Sequence, residues 1–320
     1  MKSRLKIGIL GFANIAKKSI IPAIKSLPDL FELVGVGSLK MNHSSEIKFF
    51  EGYDKLLNKD LIDVVYIPLP NSLHFKWAKI ALERGINVLV EKSICTNYFE
   101  VEELCRIASE NNCVLMENFQ FRFHTQLEWI KKIISKNEIG YIRSINSNFG
   151  FPPFNDADNI RYNKELGGGA LMDAGAYPIK LAQELLGNEL EVVHATLNYE
   201  NKEVDIWGDG KLKQKSGSGF MNFSFGFDNY YQCNLEIWGS QGKLSTNRIF
   251  TAPSDYTVKL LIEKNNETEI IEIVPENHFV KSLIHFSNCI SDYMLRVDEY
   301  KANLNQALLL DNFKKLSYVK

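Results

Sequence analysis

Apolar, β-branched runs at residues 5–10, 31–36, 64–67, 87–90 and 113–116 alternate with amphipathic stretches in the early part of the chain. Such alternation predicts strands separated by helices, and hence a parallel sheet with helices on both faces. Asn97 with Glu100 forms a capping-box pattern before the apolar positions Val101, Leu104 and Ile107, and Gly85 closes the preceding helix. Thr125 with Glu128 predicts another helix start, running through Trp129 and Ile133 towards Ser135. Pro22 interrupts or restarts the first helix, because it cannot donate to the preceding turn.

The pattern changes after residue 143. A helical stretch over 169–186, closed by Gly187, precedes strand candidates at 192–199, 203–207, 219–227, 230–238 and 258–264. Met221, Phe223, Phe225 and Phe227 share one face of their strand, which is either covered by the closing helices or buried against another subunit. Residues 209–218, rich in Gly, Lys and Ser, predict a mobile hairpin tip, and 279–296 and 303–319 predict closing helices. The expected fold class is α/β. A Rossmann doubly wound parallel sheet occupies residues 1–119, and an α+β domain on a largely antiparallel open sheet occupies residues 120–320. The second domain is expected to serve substrate binding and oligomerisation, with the closing helices packing back on the first.

A length of 320 residues suits two domains. With 45% hydrophobic and 24% charged residues and a net charge of −2, no charge excess points to nucleic acid or an anionic membrane. Lys2, Arg4 and Lys6 precede an apolar stretch, but Asn14, Lys17 and Lys18 soon interrupt it, so a signal peptide is not expected. No uncharged apolar run reaches the ~18 residues of a membrane span. The five cysteines (Cys95, Cys105, Cys113, Cys233 and Cys289) are odd in number and include no C-x-x-C pair, which fits a reducing cytoplasm. The six histidines are scattered, and no catalytic metal is expected.

Directly after the first strand stands Gly11-Phe12-Ala13-Asn14-Ile15-Ala16, a G-x-A-x-x-A form of the phosphate-binding turn. Gly11 makes the tight turn, Ala13 admits the pyrophosphate and Ala16 lets helix pack on strand, while Phe12, Asn14 and Ile15 complete the cofactor-binding set. Spacing alone nominates Glu32 for the ribose hydroxyls, but it lies at the wrong end of the second strand. The carboxyl end reads Gly37-Ser38-Leu39-Lys40. Ser38 and Lys40 there favour NADP(H) over NAD(H), the alternative being that Lys40 faces solvent.

Two further segments carry a family resemblance. Asp63-Val-Val-Tyr-Ile-Pro-Leu-Pro-Asn-Ser-Leu-His74 with Asn87-Val-Leu-Val-Glu-Lys92, and Leu166-Gly-Gly-Gly-Ala-Leu-Met-Asp173-Ala-Gly-Ala-Tyr177, resemble the glucose–fructose oxidoreductase / inositol dehydrogenase (Gfo/Idh/MocA) family. The resemblance implies that Pro70, Asn71 and His74 line the cofactor, that Glu91-Lys92 stands for an E-K-P element, and that Asn118 and Arg161 contact the cofactor. It also implies that Asp173 and Tyr177 stand for a D-x-G-x-H/Y element, with Tyr177 handling the substrate's proton. Lys92 and Tyr177 are then expected to come together beside the nicotinamide. Ser93 replaces the family's proline, which removes a φ constraint after Lys92. Ala13 and the segment from Gly239 to Pro253 look similar to nucleotide-sugar ketoreductases of the family, and homo-oligomers, dimeric or tetrameric, are implied.

The chemistry stands on its own terms. Reducing a ketone needs a proton donor within hydrogen-bond reach of the developing alkoxide. A tyrosine, of reference pKa about 10, becomes an effective relay when a nearby cation favours its phenolate. Lys92 is that cation and also stabilises the oxyanion, while Asp173 orients the lysine or binds a substrate hydroxyl. Gly167-Gly168-Gly169 offers N–H groups to a ligand or relieves crowding, and Arg122 binds an anionic substrate or forms an interdomain salt bridge. The leading expectation is an NAD(P)-dependent oxidoreductase acting on a keto-sugar, free or nucleotide-linked. The alternatives are a free-sugar or cyclitol dehydrogenase, a glycosidase with tightly bound nicotinamide, and a non-catalytic dinucleotide sensor.

Overall fold

A computed structural model of the chain describes residues 4–39, 46–156 and 159–319. It divides into two compact units. The first comprises Met1–Asn118 and Phe279–Ala307. Its strands are β1 (Leu5–Leu10), β2 (Phe31–Ser38), β3 (Phe49–Glu51), β4 (Val64–Ile67), β5 (Asn87–Val90) and β6 (Leu115–Glu117). They form one sheet in the order β3-β2-β1-β4-β5-β6, every pairing parallel. Every residue of β4 and β5 is buried, as strands covered on both faces require, and this explains their unbroken apolar runs. The order reverses direction between β1 and β4, which places a crevice at the carboxyl ends of those two strands.

A π-helical turn over Ala16–Ile20 leads into α1 (Ile21–Lys25), which carries Pro22 in its first turn, where no donor is needed. Helix α2 (Asn71–Glu83) joins β4 to β5, and α3 (Tyr98–Glu110) joins β5 to β6. The Asn97 side chain accepts from the Glu100 N–H at 3.1 Å, as the capping pattern predicted, and Gly85 takes a φ of +71° after α2. Of the two C-terminal helices, α6 (His278–Ser291) and the first part of α7 (Tyr293–Leu316) belong to this unit. Asn303 Nδ2 donates to the Leu115 carbonyl at 2.9 Å and the Tyr300 hydroxyl to that of Cys113, so α7 is tied along the β6 segment.

The second unit comprises Phe119–His278 and Leu308–Lys320. After α4 (Thr125–Ser135) come β7 (Ile142–Gly150), a π-helical turn over Leu171–Gly175, α5 (Ala176–Leu186) and β8 (Leu190–Asn198). The remaining strands are β9 (Trp207–Gln214), β10 (Phe220–Gly226), β11 (Gln232–Gly239), β12 (Lys243–Asn247), β13 (Val258–Lys264), β14 (Glu267–Ile273) and β15 (Tyr318–Val319). They make one nine-stranded sheet, β14-β13-β12-β11-β7-β10-β9-β8-β15, antiparallel except at β7–β10 and β8–β15. Met221, Phe223, Phe225 and Phe227 are all buried within this unit, with Phe223 and Phe225 against the Phe313 ring at 5.7 and 6.0 Å. The aromatic face is therefore covered by the chain's own helices.

Several expectations are corrected here. Residues 207–214 form β9, paired on both sides, so only 215–218 remain of the expected hairpin tip. The glycines there make room for rings: a Cβ at Gly208 would lie 2.7 Å from Phe225 Cζ, and one at Gly210 2.3 Å from Phe313 Cε2. Of the candidate strand at 203–207 only Trp207 is strand, as the start of β9; 203–206 form a loop, because Asp205 turns its carboxylate to the Leu171 N–H at 2.6 Å. Strand β7 had escaped notice because its inward positions include Ser147, whose hydroxyl donates to the Asn234 carbonyl at 2.7 Å. The short β3, the largely polar β12 and the charged β14 were missed for a similar lack of apolar alternation. The expected break before residue 303 is absent, since no Gly or Pro interrupts α7. The cap of α4 is His124, whose Nδ1 accepts from the Gln126 N–H at 3.1 Å, while the Thr125 hydroxyl donates to Glu276 at 2.7 Å.

A Cβ at Gly208 would also stand 2.4 Å from the Thr196 carbonyl oxygen, a backbone atom with little freedom to move. Gly208→Ala is therefore expected to destabilise the fold by about 1–3 kcal/mol, read as a lower urea midpoint with an unchanged slope.

Candidate functional site

The candidate residues of the first unit gather at the carboxyl ends of its strands. Gly11, after β1, has a φ of +90°, donates to the Gly37 carbonyl at 2.8 Å and would put a Cβ 2.8 Å from Leu69 Cδ2, so only glycine fits this turn. Phe12 packs edge-on to Phe49 with ring centroids 5.1 Å apart, beneath the Lys17 ammonium. Ala13 accepts from Lys17 N–H at 3.1 Å as the helix that includes Asn14 and Ile15 begins. Glu32 pairs with Arg4 at 2.9 Å, at the far end of β2 from Ser38, in keeping with its rejection as a ribose ligand. Ser38 is buried opposite Glu51 of β3, an acid the sequence did not place there; Glu51 faces Lys55 at 3.6 Å. Lys40 lies outside the described residues.

Around Glu91 the strand ends are joined by a polar network. The Tyr66 hydroxyl and Asn118 Nδ2 both donate to Glu91 Oε1, at 2.6 and 2.7 Å, and Ser282 donates to Asn118 Oδ1 at 2.8 Å. Burial pushes the Glu91 carboxyl up, opposed by Tyr66, Asn118 and the neighbouring Lys92. Pro70 caps α2 and Asn71 opens it. His74, fully buried in that helix, directs Nδ1 to the Ser93 carbonyl at 2.9 Å and Nε2 to that of Leu69 at 2.7 Å. Burial lowers its pKa to about 4, so at neutral pH the ring carries a single N–H, which donates to one of the two carbonyls while the other nitrogen lies against the second. The Lys92–Ser93 peptide is cis, and beyond it the Ile94 N–H donates to the buried Glu117 at 2.9 Å.

In the second unit Tyr177 stands in the first turn of α5, its ring enclosed by Phe119, Phe121, Phe149 and Phe250 at centroid distances of 5.4, 5.9, 5.0 and 5.5 Å. One turn earlier, Asp173 accepts from Arg161 Nε at 2.6 Å, and the guanidinium lies over Phe154. The three glycines before this helix donate their N–H groups to the carbonyls of Lys164, Asn163 and Arg161 at 2.9–3.0 Å, which removes the ligand-cradle reading. Steric need explains them: a Cβ at Gly168 would meet the Arg161 carbonyl at 2.4 Å, and one at Gly169 the Asp205 carboxylate at 2.3 Å. Arg122 donates to Glu184 of α5 at 3.0 Å, a salt bridge within this unit.

The turn at Gly11, set at the strand-order reversal, fits a bound dinucleotide. A family model described as an oxidoreductase family with an NAD-binding Rossmann fold matches residues 5–119, and one described as the GFO/IDH/MocA C-terminal domain matches residues 127–245. The chain belongs to the GFO/IDH/MocA oxidoreductase family.

Within that family it is 35% identical over 314 residues to a dTDP-3,4-didehydro-2,6-dideoxy-alpha-D-glucose 3-reductase of Actinomadura kijaniata, covering 96% of this chain and 94% of the relative. It is 28% identical to the D-xylose 1-dehydrogenase (NADP(+)) 2 of Haloferax volcanii, with 89% of each chain covered. Among solved structures, a 3-ketoreductase from Actinomadura kijaniata in complex with NADP and TDP-benzene superposes with a TM-score of 0.93 at 33% identity over 99% of both chains.

Sequence reasoning missed Tyr66, Ser282 and Asp205, each of which hydrogen-bonds to a residue far away in the chain. Tyr66 left a trace, being the one polar-tipped side chain in a strand otherwise of Val and Ile. Among the described residues no group of three or more His, Cys, Asp or Glu side chains is placed to hold a metal ion, and no helix is long and apolar enough to cross a membrane.

Asp205, buried beneath the start of the Tyr177 helix, has its carboxyl pushed up to about 6 from 3.8, chiefly by burial. For an acid raised in the folded state, the stabilisation is full below pH 3.8 and is lost as pH rises through about 6. Asp205→Asn keeps a side-chain acceptor for Leu171 and cannot titrate. Relative to this variant, the protein is expected to lose on the order of 3 kcal/mol between pH 4 and 7, followed by chemical denaturation at each pH.

Proposed function

We propose that the chain is a cytoplasmic, homo-oligomeric reductase that uses NADPH to reduce a ketone on a nucleotide-linked sugar. The similarity to the 3-reductase along almost its whole length carries this reading, supported by the NADP and TDP-benzene in the complex of the related 3-ketoreductase. Both named relatives are associated with NADP, and the carboxyl end of β2 carries Ser38 rather than an acid. The family resemblance supports the homo-oligomer, and the odd number of cysteines with no C-x-x-C pair fits a reducing cytoplasm.

Bound NADPH supplies the hydride. In the proposed step the Tyr177 phenol gives its proton to the developing alkoxide, and the Lys92 ammonium stabilises that oxygen and the phenolate left behind. Asp173, held by Arg161, sets the entry of the helix that carries the phenol, and the remaining N–H groups of Arg161 are assigned to the cofactor. Gly11, Phe12, Ala13, Asn14 and Ile15 bind the pyrophosphate, Ser38 and Lys40 the 2′-phosphate, and Pro70, Asn71, Glu91, Lys92 and Asn118 border the nicotinamide half. His74 positions the loops on either side of it. The D-xylose dehydrogenase relative favours a second reading, oxidation of a free sugar.

A panel of keto-sugars, free and nucleotide-linked, assayed with NADPH and NADH, tests the substrate; preference for the free sugars would favour the second reading. Net oxidation of NADPH would exclude a recycled, tightly bound cofactor, and any turnover would exclude a mere sensor. Tyr177→Phe is expected to lower kcat about 100-fold or more with NADPH affinity held within threefold. If Lys92 and Tyr177 serve one proton transfer, Lys92→Ala combined with Tyr177→Phe costs far less than the product of the single effects. Near-normal turnover in Tyr177→Phe would exclude the assigned role.

A further inference from the structure

Strand β12 ends at Asn247, and the next residue, Arg248, takes a φ of +74°, a conformation that side chains with a Cβ seldom adopt. The turn is held from two sides. The N–H groups of Arg248 and Ile249 both donate to the Cys233 carbonyl, at 2.6 and 3.0 Å. Gln126 Nε2 of α4 lies 3.1 and 3.3 Å from the carbonyls of Arg248 and Ile249 and donates to them. Such fixation of a strained backbone aims the arginine.

Its guanidinium lies 4.6 Å from the Tyr231 ring centroid and 5.9 Å from that of Tyr256, with Nη1 donating to the Tyr231 hydroxyl at 2.7 Å. A guanidinium has five N–H donors, and among the described residues this one finds only that neutral acceptor and no carboxylate within ion-pair distance. Holding a half-buried cation between aromatic rings without a counter-ion is costly unless a ligand brings the charge. Two residues on, Phe250 packs its ring against Tyr177. Two residues of chain span at most about 7 Å, so the backbone that carries the arginine lies near the residue that packs on the proposed proton donor.

We propose that Arg248 binds the diphosphate of the nucleotide-linked substrate, holding it while the sugar ketone faces Tyr177. This rests on the nucleotide-sugar reading above. A planar fork of N–H donors matches phosphate oxygens, and the tyrosines fix its plane. A free sugar would give the cation nothing to pair with.

Arg248→Gly removes the cation and suits the left-handed turn, so folding is not at risk; Arg248→Lys keeps the charge without the fork. Calorimetric titration with TDP, and turnover of TDP-linked and free keto-sugars, read the outcome. For Arg248→Gly the Kd of TDP and the KM of the TDP-sugar are expected to rise about 10- to 100-fold. Its NADPH affinity and free-sugar turnover stay within threefold, and Arg248→Lys falls between the variant and the original protein. Tyr231→Phe, which keeps the ring and loses the hydroxyl, is expected to weaken TDP binding by only a few-fold. If the original protein binds TDP and Arg248→Gly binds it equally well, the assignment of Arg248 is overturned while the nucleotide-sugar reading stands. If the original protein binds no TDP and reduces only free sugars, both fall. A loss of NADPH binding equal to that of TDP would move the cation to the cofactor's phosphates and overturn the proposal.

Discussion

Four phenylalanines from three separate stretches of the second unit close around one tyrosine ring. Phe119 and Phe121 come from the entry to the unit, Phe149 from the end of β7 and Phe250 from the turn after β12, and all four touch Tyr177. Phe119 and Phe149 meet the ring edge-to-face and Phe121 and Phe250 at a tilt, and contacts on so many sides fix orientation as well as separation. The helix that bears Tyr177 cannot rotate without opening contacts to the sheet, and the segment holding Arg248 and Phe250 cannot shift without disturbing the same ring. Chemistry assigned to the phenol thus inherits its geometry from the hydrophobic core.

Polar groups buried near the candidate residues do a different job. Glu91, His74 and Asp205 each satisfy groups on other elements: Glu91 gathers Tyr66 and Asn118, His74 spans the loops after β4 and β5, and Asp205 caps the approach to α5. Removing one partner would leave another buried and unpaired, which costs more than the bond itself contributes. These residues act as braces. Loss of water is the common cost, pulling the His74 pKa down to about 4 and pushing that of Asp205 up to about 6.

How much of this was legible depended on whether a signal is local. Strands buried on both faces write themselves as β-branched runs, and β1, β4 and β5 were placed with their ends correct; the turn at Gly11, the Asn97 cap and the proline in α1 were equally readable. In the second unit the sheet has one polar face, and its strands lean on cross-strand partners. Ser147 faces inward because Asn234 accepts its hydrogen bond across the ladder, and no window of sequence contains both. Asp205 read as part of a strand because its partner, the Leu171 N–H, lies 34 positions away. The motif residues Lys92, Asp173 and Tyr177 were found through resemblance. Arg248 was passed over, since an arginine in a loop is unremarkable until its rings and its backbone angle are known.

Glycine is where local reading fails most instructively, because one residue serves three physical needs. Gly11 supplies a positive φ, Gly208 and Gly210 clear space for aromatic rings, and Gly168 and Gly169 let a carbonyl and a carboxylate come close. Composition cannot separate a flexible tip from a strand that yields room to Phe225 and Phe313. The distinction has a chemical consequence. With the N–H groups of Gly167, Gly168 and Gly169 all donated to their own loop, that triplet has no backbone cradle left for an anion. Side-chain cations of this unit are the other groups to consider for negative charge on a substrate. Arg161 is engaged by Asp173 and Arg122 by Glu184, whereas the half-buried guanidinium between Tyr231 and Tyr256 meets, among the described residues, only the neutral Tyr231 hydroxyl and the two rings.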